Sequence, residues 1–326
     1  MHRSGPDIVF MGTPGFAVES LRMLLAEGYP VKAVVTAPDR PAGRGKKIHA
    51  SAVKEFVNKE YPEIKLLQPE KLRDPVFLEE LRILAPDLIV VVAFRMLPEA
   101  VWALPPMGCF NLHASLLPDY RGAAPINHVI MNGEKQSGVT SFLIDRNIDT
   151  GNILLQRKTL IGEEENAGDL HDRLMNMGAK LVVKTVKGLT EGSLKARPQE
   201  DFMKKGIPLK TAPKIRKEDC RINWNRPAAE LYNFIRGLSP FPGAYTYLEN
   251  EKGEKTFWKI YDSDVEPASH PQGPGILITD GKNELKASTT DGYLHIREVQ
   301  QEGKKKMRSV DFLRGVSLTS GEFRFS

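Results

Sequence analysis

Cysteine is scarce in this chain of 326 residues, which contains only Cys109 and Cys220. Two cysteines far apart in sequence do not indicate a disulfide scaffold, so we expect a reduced, cytoplasmic protein. Neither belongs to a metal-like cluster, and the seven histidines show no zinc spacing, so we expect no metal. Cys109 lies in an apolar stretch, which favours a small buried side chain over a nucleophile.

Long hydrophobic runs are also absent. The longest apolar run, Leu88 to Phe94, has the length of a strand and falls short of the roughly 20 residues that span a bilayer. The first residues, MHRSGPD, show no signal-peptide core. The turn GTPG at residues 12–15 lacks the GxGxxG pattern. We therefore expect no membrane contact, no export and no nicotinamide cofactor.

The chain does have the composition of an ordinary globular protein, with 41% hydrophobic and 27% charged residues. A formal net charge of +5 permits binding to a polyanion without requiring it. In the first half, apolar strands alternate with helices, which predicts an α/β fold with a Rossmann-like, mostly parallel sheet. Later, short alternating strands separated by turn residues predict a small, OB-like β-barrel.

The most informative stretch runs from Phe110 to Thr150. Asn111 and His113 alternate with apolar residues at period two, which points both polar side chains to one face of a strand. An Asn amide donates hydrogen bonds, a His exchanges a proton, and Asp149 can orient or hold that proton. This set suits a reaction through an oxyanion-bearing intermediate. The alternative is that each side chain satisfies local backbone groups.

The amino-acid sequence around these residues resembles that of a known family. HASLLPDYRGAAPIN and VTSFLIDRNIDTG are similar to segments of the folate-dependent formyltransferases. A second block, APDRPAGRGKKIHASAVK from Ala37 to Lys54, narrows the resemblance to the methionyl-tRNA formyltransferases. The resemblance implies transfer of a formyl group from 10-formyltetrahydrofolate to the amino group of methionyl initiator tRNA.

The resemblance also implies roles for particular residues. Asn111, His113 and Asp149 would be catalytic, with Asn111 donating to the oxyanion and His113 either donating to it as well or shuttling a proton; the sequence leaves these two roles of His113 open. The segment Ser115, Leu116, Leu117 and Pro118 would contact the folate, since two leucines and a proline form an apolar, pre-ordered wall.

The basic loop Asp39–Lys47 contains two glycines and four cations. Composition alone leaves open whether it is a solvated loop or a phosphate-binding one that orders on RNA. The resemblance implies tRNA binding by Arg40, Arg44, Lys46 and Lys47, of which Arg44 is the foremost candidate.

The predicted domains are a formyltransferase domain at 1–190, a linker at 191–213 and a tRNA-binding barrel at 214–326. Phe241 and Pro242, in LSPFPGAY, are expected to pack at the domain junction. The run from Ala93 to Pro98 departs from the family, which often has a Tyr-Gly pair and a longer stretch here. In this run Arg95 borders the expected folate pocket. We expect a monomer.

Two other functions compete with this one. A small-amine formyltransferase, acting on a glycinamide ribonucleotide or a nucleotide aminosugar, would share the Asn, His and Asp core. A non-catalytic RNA-binding protein on the same scaffold would not need that core to be intact.

Overall fold

The computed structural model of the chain describes residues 5–42, 47–203, 205–316 and 318–326. The described residues form two compact units. The first comprises Met1–Gly122, Ser137–Thr159 and His171–Thr211, and the second comprises Ala123–Gln136, Leu160–Leu170 and Ala212–Ser326. The functional boundaries at 190 and 214 stay a prediction.

The chain as far as Ala212 alternates strands and helices. Its strands are β1 (Ile8–Gly12), β2 (Val31–Val35), β3 (Arg40–Ala42), β4 (Lys47–His49), β5 (Lys65–Leu67), β6 (Leu88–Val92), β7 (Cys109–His113), β8 (Arg121–Gly122), β9 (Gln136–Leu143), β10 (Ile153–Leu160) and β11 (Thr211–Ala212). Its helices are α1 (Gly15–Ala26), α2 (Ala52–Glu60), α3 (Pro75–Leu84), α4 (Glu99–Trp102), α5 (Pro125–Met131) and α6 (Ala167–Thr190). Short 3-10 helices follow at Gln199–Phe202 and Glu218–Cys220.

The central sheet has the strand order β10-β9-β7-β6-β1-β2-β5. The pairs β1–β2, β1–β6, β2–β5 and β6–β7 are parallel, and β7–β9 is antiparallel. All five residues of β6 are buried, as expected for a strand covered on both faces. The mostly parallel α/β sheet is therefore confirmed. The strand order reverses between β1 and β6, where doubly wound sheets bind ligands beyond the carboxyl ends of the strands.

Local sequence explains where the helices begin. The Ser51 hydroxyl accepts a hydrogen bond from the Lys54 backbone N–H and caps α2. Asp74 caps α3 in the same way, with Pro75 in the first turn, where its missing N–H costs nothing. Helix α6 covers the strand that carries the candidate site, because a Cβ at Gly178 would lie only 2.6 Å from Leu112 of β7. The glycine thus permits close helix–strand packing.

The second unit is built around α7 (Ala228–Leu238), α8 (Ser309–Leu313) and an antiparallel sheet. Its strands are β12 (Ala244–Asn250), β13 (Lys255–Pro267), β14 (Leu277–Thr279), β15 (Leu285–Ser288), β16 (Gly292–Gln301), β17 (Met307–Arg308) and β18 (Phe323–Phe325). The order is β14-β15-β16-β13-β12-β18, with β17 on β16, and a bridge from Ile276 to Arg324 nearly closes the sheet. The predicted small barrel is confirmed. Among the described helices, none is both long and apolar enough to cross a bilayer.

The close packing of α7 on α5 can be tested at Gly237. Its added Cβ would lie 2.9 Å from the Met131 backbone nitrogen and 3.1 Å from the Asn127 carbonyl oxygen of α5. We expect Gly237→Val to lower the free energy of unfolding by about 1–3 kcal/mol, the usual cost of overpacking. Urea unfolding measures the change. Gly273→Val is the control, because nothing lies within 4 Å of its added Cβ. Equal stability of the two variants would contradict the close packing.

Candidate active site

Strand β7 presents two of the three predicted catalytic residues. Asn111 and His113 share one face with Cys109, which packs among Val9, Met11 and other residues of the core on that side of the sheet. His113 is buried, with 7% of its surface exposed, whereas Asn111 is partly exposed. Burial raises the pKa of the Cys109 thiol, so the thiolate does not form at neutral pH. Cys109 is a buried side chain, as predicted.

His113 is held by a backbone carbonyl. Its Nε2 lies 2.8 Å from the Tyr120 carbonyl oxygen, which can only accept, so Nε2 carries the proton that it donates. The other ring nitrogen, Nδ1, lies 3.8 Å from Oδ2 of Asp149. This separation is too long for a hydrogen bond, and a charge interaction between the two groups arises only when the imidazole is protonated. Nδ1 is therefore the nitrogen available for proton exchange.

Asp149 is placed by a sharply turned loop. Its backbone is in the left-handed region, at φ 55°, and its Oδ2 accepts a hydrogen bond of 2.9 Å from the Gly122 backbone N–H. At Gly151, an added Cβ would lie 1.7 Å from the Leu143 carbonyl oxygen. The DTG sequence at residues 149–151 thus meets a steric requirement: only glycine lets the loop pass β9 this closely.

Asn111 faces the same edge with its amide free. In the β7 register it lies between Val91 of β6 and Phe142 of β9. Within the described ranges its side chain makes no hydrogen bond. An unengaged amide beside a histidine–aspartate pair is suited to donate to a developing oxyanion. The structure thus brings His113 and Asp149 together and places Asn111 on the same strand face as His113.

The predicted folate segment forms a compact turn after β7. Ser115, Leu117 and Pro118 are buried, and Leu116 is partly exposed. The backbone is satisfied internally, because Thr140 Oγ1 donates to the Ser115 carbonyl (2.7 Å) and Gln156 Nε2 to the Leu117 carbonyl (2.6 Å). What the turn presents is a rigid apolar wall. Folate contact stays a prediction.

Gln199 is a site residue that sequence reasoning missed. It lies in the segment predicted as a linker, yet only 1% of its surface is exposed. Its Nε2 donates to the carbonyl oxygens of Asp149 (2.8 Å) and Gly151 (2.9 Å). Its Oε1 accepts from Arg121 Nη2 (2.6 Å) and Nε (3.1 Å). Gln199 thus ties the loop of Asp149 to the RG turn of Arg121, and no local pattern marks it in the sequence.

The predicted tRNA-binding residues fall partly outside the described residues. Arg40 is exposed at the start of β3, and Lys47 begins β4, which pairs with β3 in an antiparallel hairpin. Arg44 and Lys46 lie outside the described residues. All four assignments stay predictions.

A cleft of about 380 Å³ opens beyond the carboxyl ends of β1, β2 and β6. Arg95, at its border, donates to the carbonyl oxygens of Pro69 and Glu70, so it pins the loop after β5. Burial lowers the pKa of the guanidinium, yet Arg95 stays charged because its ordinary pKa is so high. The cleft is lined by Thr13, Pro14, Ala37, Pro38, Arg40, Ala93, Phe94 and Arg95.

A group of potential metal ligands occurs in the second unit. Glu266, Glu284 and His295 offer atoms within 4.8 Å of one another. Lys286 Nζ already lies 3.1 Å from Glu266 and 3.2 Å from Glu284. The hydrogen bonds from His295 and then Lys286 lower the pKa of Glu266, so the group forms an ion-pair network. The expectation that no metal takes part stays a prediction.

Comparison with known proteins identifies the family of the chain. Residues 7–186 match the formyl transferase family model, and residues 214–317 match the model of the formyl transferase C-terminal domain. The chain therefore carries both parts of a formyl transferase. A solved structure of WlaRD, a sugar 3N-formyl transferase in the presence of dTDP and 5-N-formyl-THF, shares the fold. Its TM-score is 0.61 at 21% identity, over 92% of this chain and 98% of that one.

The curated relatives define the branch of the family. Methionyl-tRNA formyltransferase of Parabacteroides distasonis is 51% identical over 97% of both chains. That of Bacteroides fragilis is 48% identical over 98% of both chains. The chain belongs to the methionyl-tRNA formyltransferase family.

The Gln199 contacts lead to a prediction. Gln199→Ala removes both donors that hold the Asp149 loop, and we expect kcat for formyl transfer to fall about 100-fold, the scale of a 1 Å misplacement. Gln199→Glu keeps an acceptor for Arg121 but loses both donors, so its kcat should fall by a similar factor. Gln136→Ala, at an exposed glutamine, is the control. Full activity of Gln199→Glu at unchanged melting temperature would show that the two donors are dispensable.

Proposed function

We propose that this chain transfers the formyl group of 10-formyltetrahydrofolate to the α-amino group of methionyl initiator tRNA. One observation carries the proposal: His113 Nδ1 faces Asp149 at 3.8 Å because Nε2 is engaged by the Tyr120 carbonyl. The free amide of Asn111 lies on the same strand face. His113, Asp149 and Asn111 can thus serve as the base, its charge partner and the oxyanion donor.

The proton path follows from the ring geometry. The amine nitrogen attacks the formyl carbon, forming a C–N bond, and the carbonyl oxygen becomes an oxyanion. His113 Nδ1 takes the proton that the attacking nitrogen must lose, and Asp149 stabilises the imidazolium that results. The C–N bond to the folate then breaks, and the leaving nitrogen receives this proton. The products are formylmethionyl-tRNA and tetrahydrofolate.

Asn111 stabilises the intermediate. Its side-chain amide donates to the oxyanion, and the donation strengthens as negative charge develops on the oxygen. The wall of Ser115–Pro118 supports the proposed folate site, since its backbone is locked by Thr140 and Gln156. Such a wall holds a flat ring without loss of loop entropy on binding. We propose no metal in this chemistry.

The RNA is held elsewhere in the chain. We propose that Arg40, Arg44, Lys46 and Lys47 contact its phosphates, and that residues 214–326 form the tRNA-binding domain after the 1–190 catalytic domain. Of the intervening segment 191–213, Gln199 supports the catalytic loop. We propose that the protein acts in the cytoplasm, because translation takes place there, and that it is a monomer.

The decisive experiment compares acceptors. Methionyl initiator tRNA, free methionine, glycinamide ribonucleotide and an amino-sugar nucleotide are each supplied with 10-formyltetrahydrofolate, and formylated product is measured. Transfer to the charged RNA alone is expected. Transfer to a small amine instead would keep the chemistry and overturn the RNA substrate. Absence of transfer to every acceptor would favour a binding protein on this scaffold.

The catalytic residues lead to a second prediction. His113→Ala should abolish formyl transfer, because it removes the ring nitrogen that we propose as the acceptor of the amine proton. Asn111→Ala should lower kcat by about 100- to 1,000-fold, the usual effect of losing one oxyanion donor. Both variants should bind the RNA almost normally. Single-turnover kinetics with charged RNA measure these effects, and substantial turnover by His113→Ala would contradict the assignment.

The basic loop leads to a third prediction. Arg44→Ala should raise KM for the charged RNA and reduce the slope of log affinity against log salt by about 1, as expected for one phosphate contact. The melting temperature should be unchanged. Arg314→Ala is a control, because Arg314 is a surface arginine of the second unit paired with Asp311. If the kinetics of Arg44→Ala at low salt match those of the wild type, the loop is explained as a solvated loop without an RNA contact.

A further inference from the structure

A groove of about 490 Å³ lies within the second unit. Phe241 lines it and is 81% exposed, although an aromatic ring of this size is normally at least half buried. The expectation that Phe241 packs at a junction is therefore wrong. Gly243, just beyond it at φ 86°, turns the chain where an added Cβ would come within 3.1 Å of Tyr261 and 3.2 Å of Lys259. The turn that presents Phe241 thus depends on this glycine.

Four cations line the same groove as the Phe241 ring. Lys214, Arg216, Lys217 and Lys259 line the groove, and no described lining residue carries a carboxylate. The first three are exposed and form no ion pair with any described residue. Lys259 Nζ donates to the Pro242 carbonyl (2.6 Å), which holds its charge next to the turn of Phe241. The positive charges that line the groove therefore favour an anionic ligand.

A polyanion with exposed aromatic faces matches both properties. Unpaired nucleotides carry a phosphate for the cations and a base for the ring, and base–aromatic stacking tolerates every base. Paired RNA offers the phosphates but keeps its base faces inside the helix. An acidic peptide would satisfy the cations but leave the bare ring without a stacking partner.

We propose that this groove binds an unpaired nucleotide of the RNA substrate, with its base stacked on Phe241 and its phosphates beside Lys214 and Lys217. The inference rests on the proposed function. It assigns a contact with single-stranded RNA to Phe241, which has no part in the proposed catalytic site.

The test measures binding of deacylated initiator tRNA and of a blunt, fully paired RNA duplex by fluorescence anisotropy over a range of salt. Phe241→Leu keeps an apolar side chain but removes the π face. It should weaken tRNA binding about 5- to 150-fold with an unchanged salt slope, and leave binding of the duplex almost unaffected. Phe241→Trp keeps a π face and should bind tRNA as the wild type does. Lys217→Gln should instead lower the salt slope by about 1 for tRNA.

Leu160→Ala is the matched control, because Leu160 is an exposed apolar residue (68%) of the same unit that does not line the groove. Wild-type affinity of Phe241→Leu for tRNA would overturn the proposal, as would an equal loss of affinity for the duplex. A concentration-dependent dimer in sedimentation that Phe241→Leu dissolves would assign the groove to a second copy of the chain. If the wild type formylates charged RNA while Phe241→Leu binds normally, only this inference fails. If the wild type neither formylates nor binds it, the proposed function fails.

Discussion

The hydrogen bond from His113 Nε2 to the Tyr120 carbonyl is the constraint on which the site depends. A neutral imidazole has one protonated nitrogen, and this bond decides which one it is. Tyr120 is itself held in the left-handed region, and its N–H is bonded to the Lys210 carbonyl (2.7 Å). The role proposed for Asp149 follows from this arrangement, because the carboxylate then faces Nδ1, the nitrogen that can take up and release a proton.

The candidate active site and the groove of Phe241 differ in how their polar groups are held. Around His113, polar groups are buried and satisfied by backbone partners, as in the contacts of Thr140 and Gln199, so little reorganisation accompanies reaction. In the groove of Phe241, charges and an aromatic face are left open to solvent. Rigid burial suits a small reacting centre whose geometry must be accurate, whereas open cations suit a large polyanion that arrives with its own shape.

Periodicity was enough to predict much of the fold and part of the site. Alternation at period two placed Asn111 and His113 on one face of β7, and the buried run of β6 indicated a parallel sheet. Gln199 could not be predicted, because its partners are carbonyl groups some 50 residues earlier and a backbone acceptor leaves no mark in the sequence. Phe241 was predicted wrongly, since an apolar residue between prolines resembles a packed one. The folate and tRNA assignments rest on family resemblance rather than on any pattern that physics alone would select.

The position of Gln199 also bears on how such chains are recombined. It lies between the two stretches that match the family models, 7–186 and 214–317, and so does Lys210. A chimera joined near residue 190 would combine the Asp149 loop of one parent with the supporting glutamine of another. A crossover placed after Thr211 keeps the loop, the Tyr120 backbone and their supports within one parent. The part of the chain that shapes the candidate active site is accordingly longer than the segment that carries Asn111, His113 and Asp149.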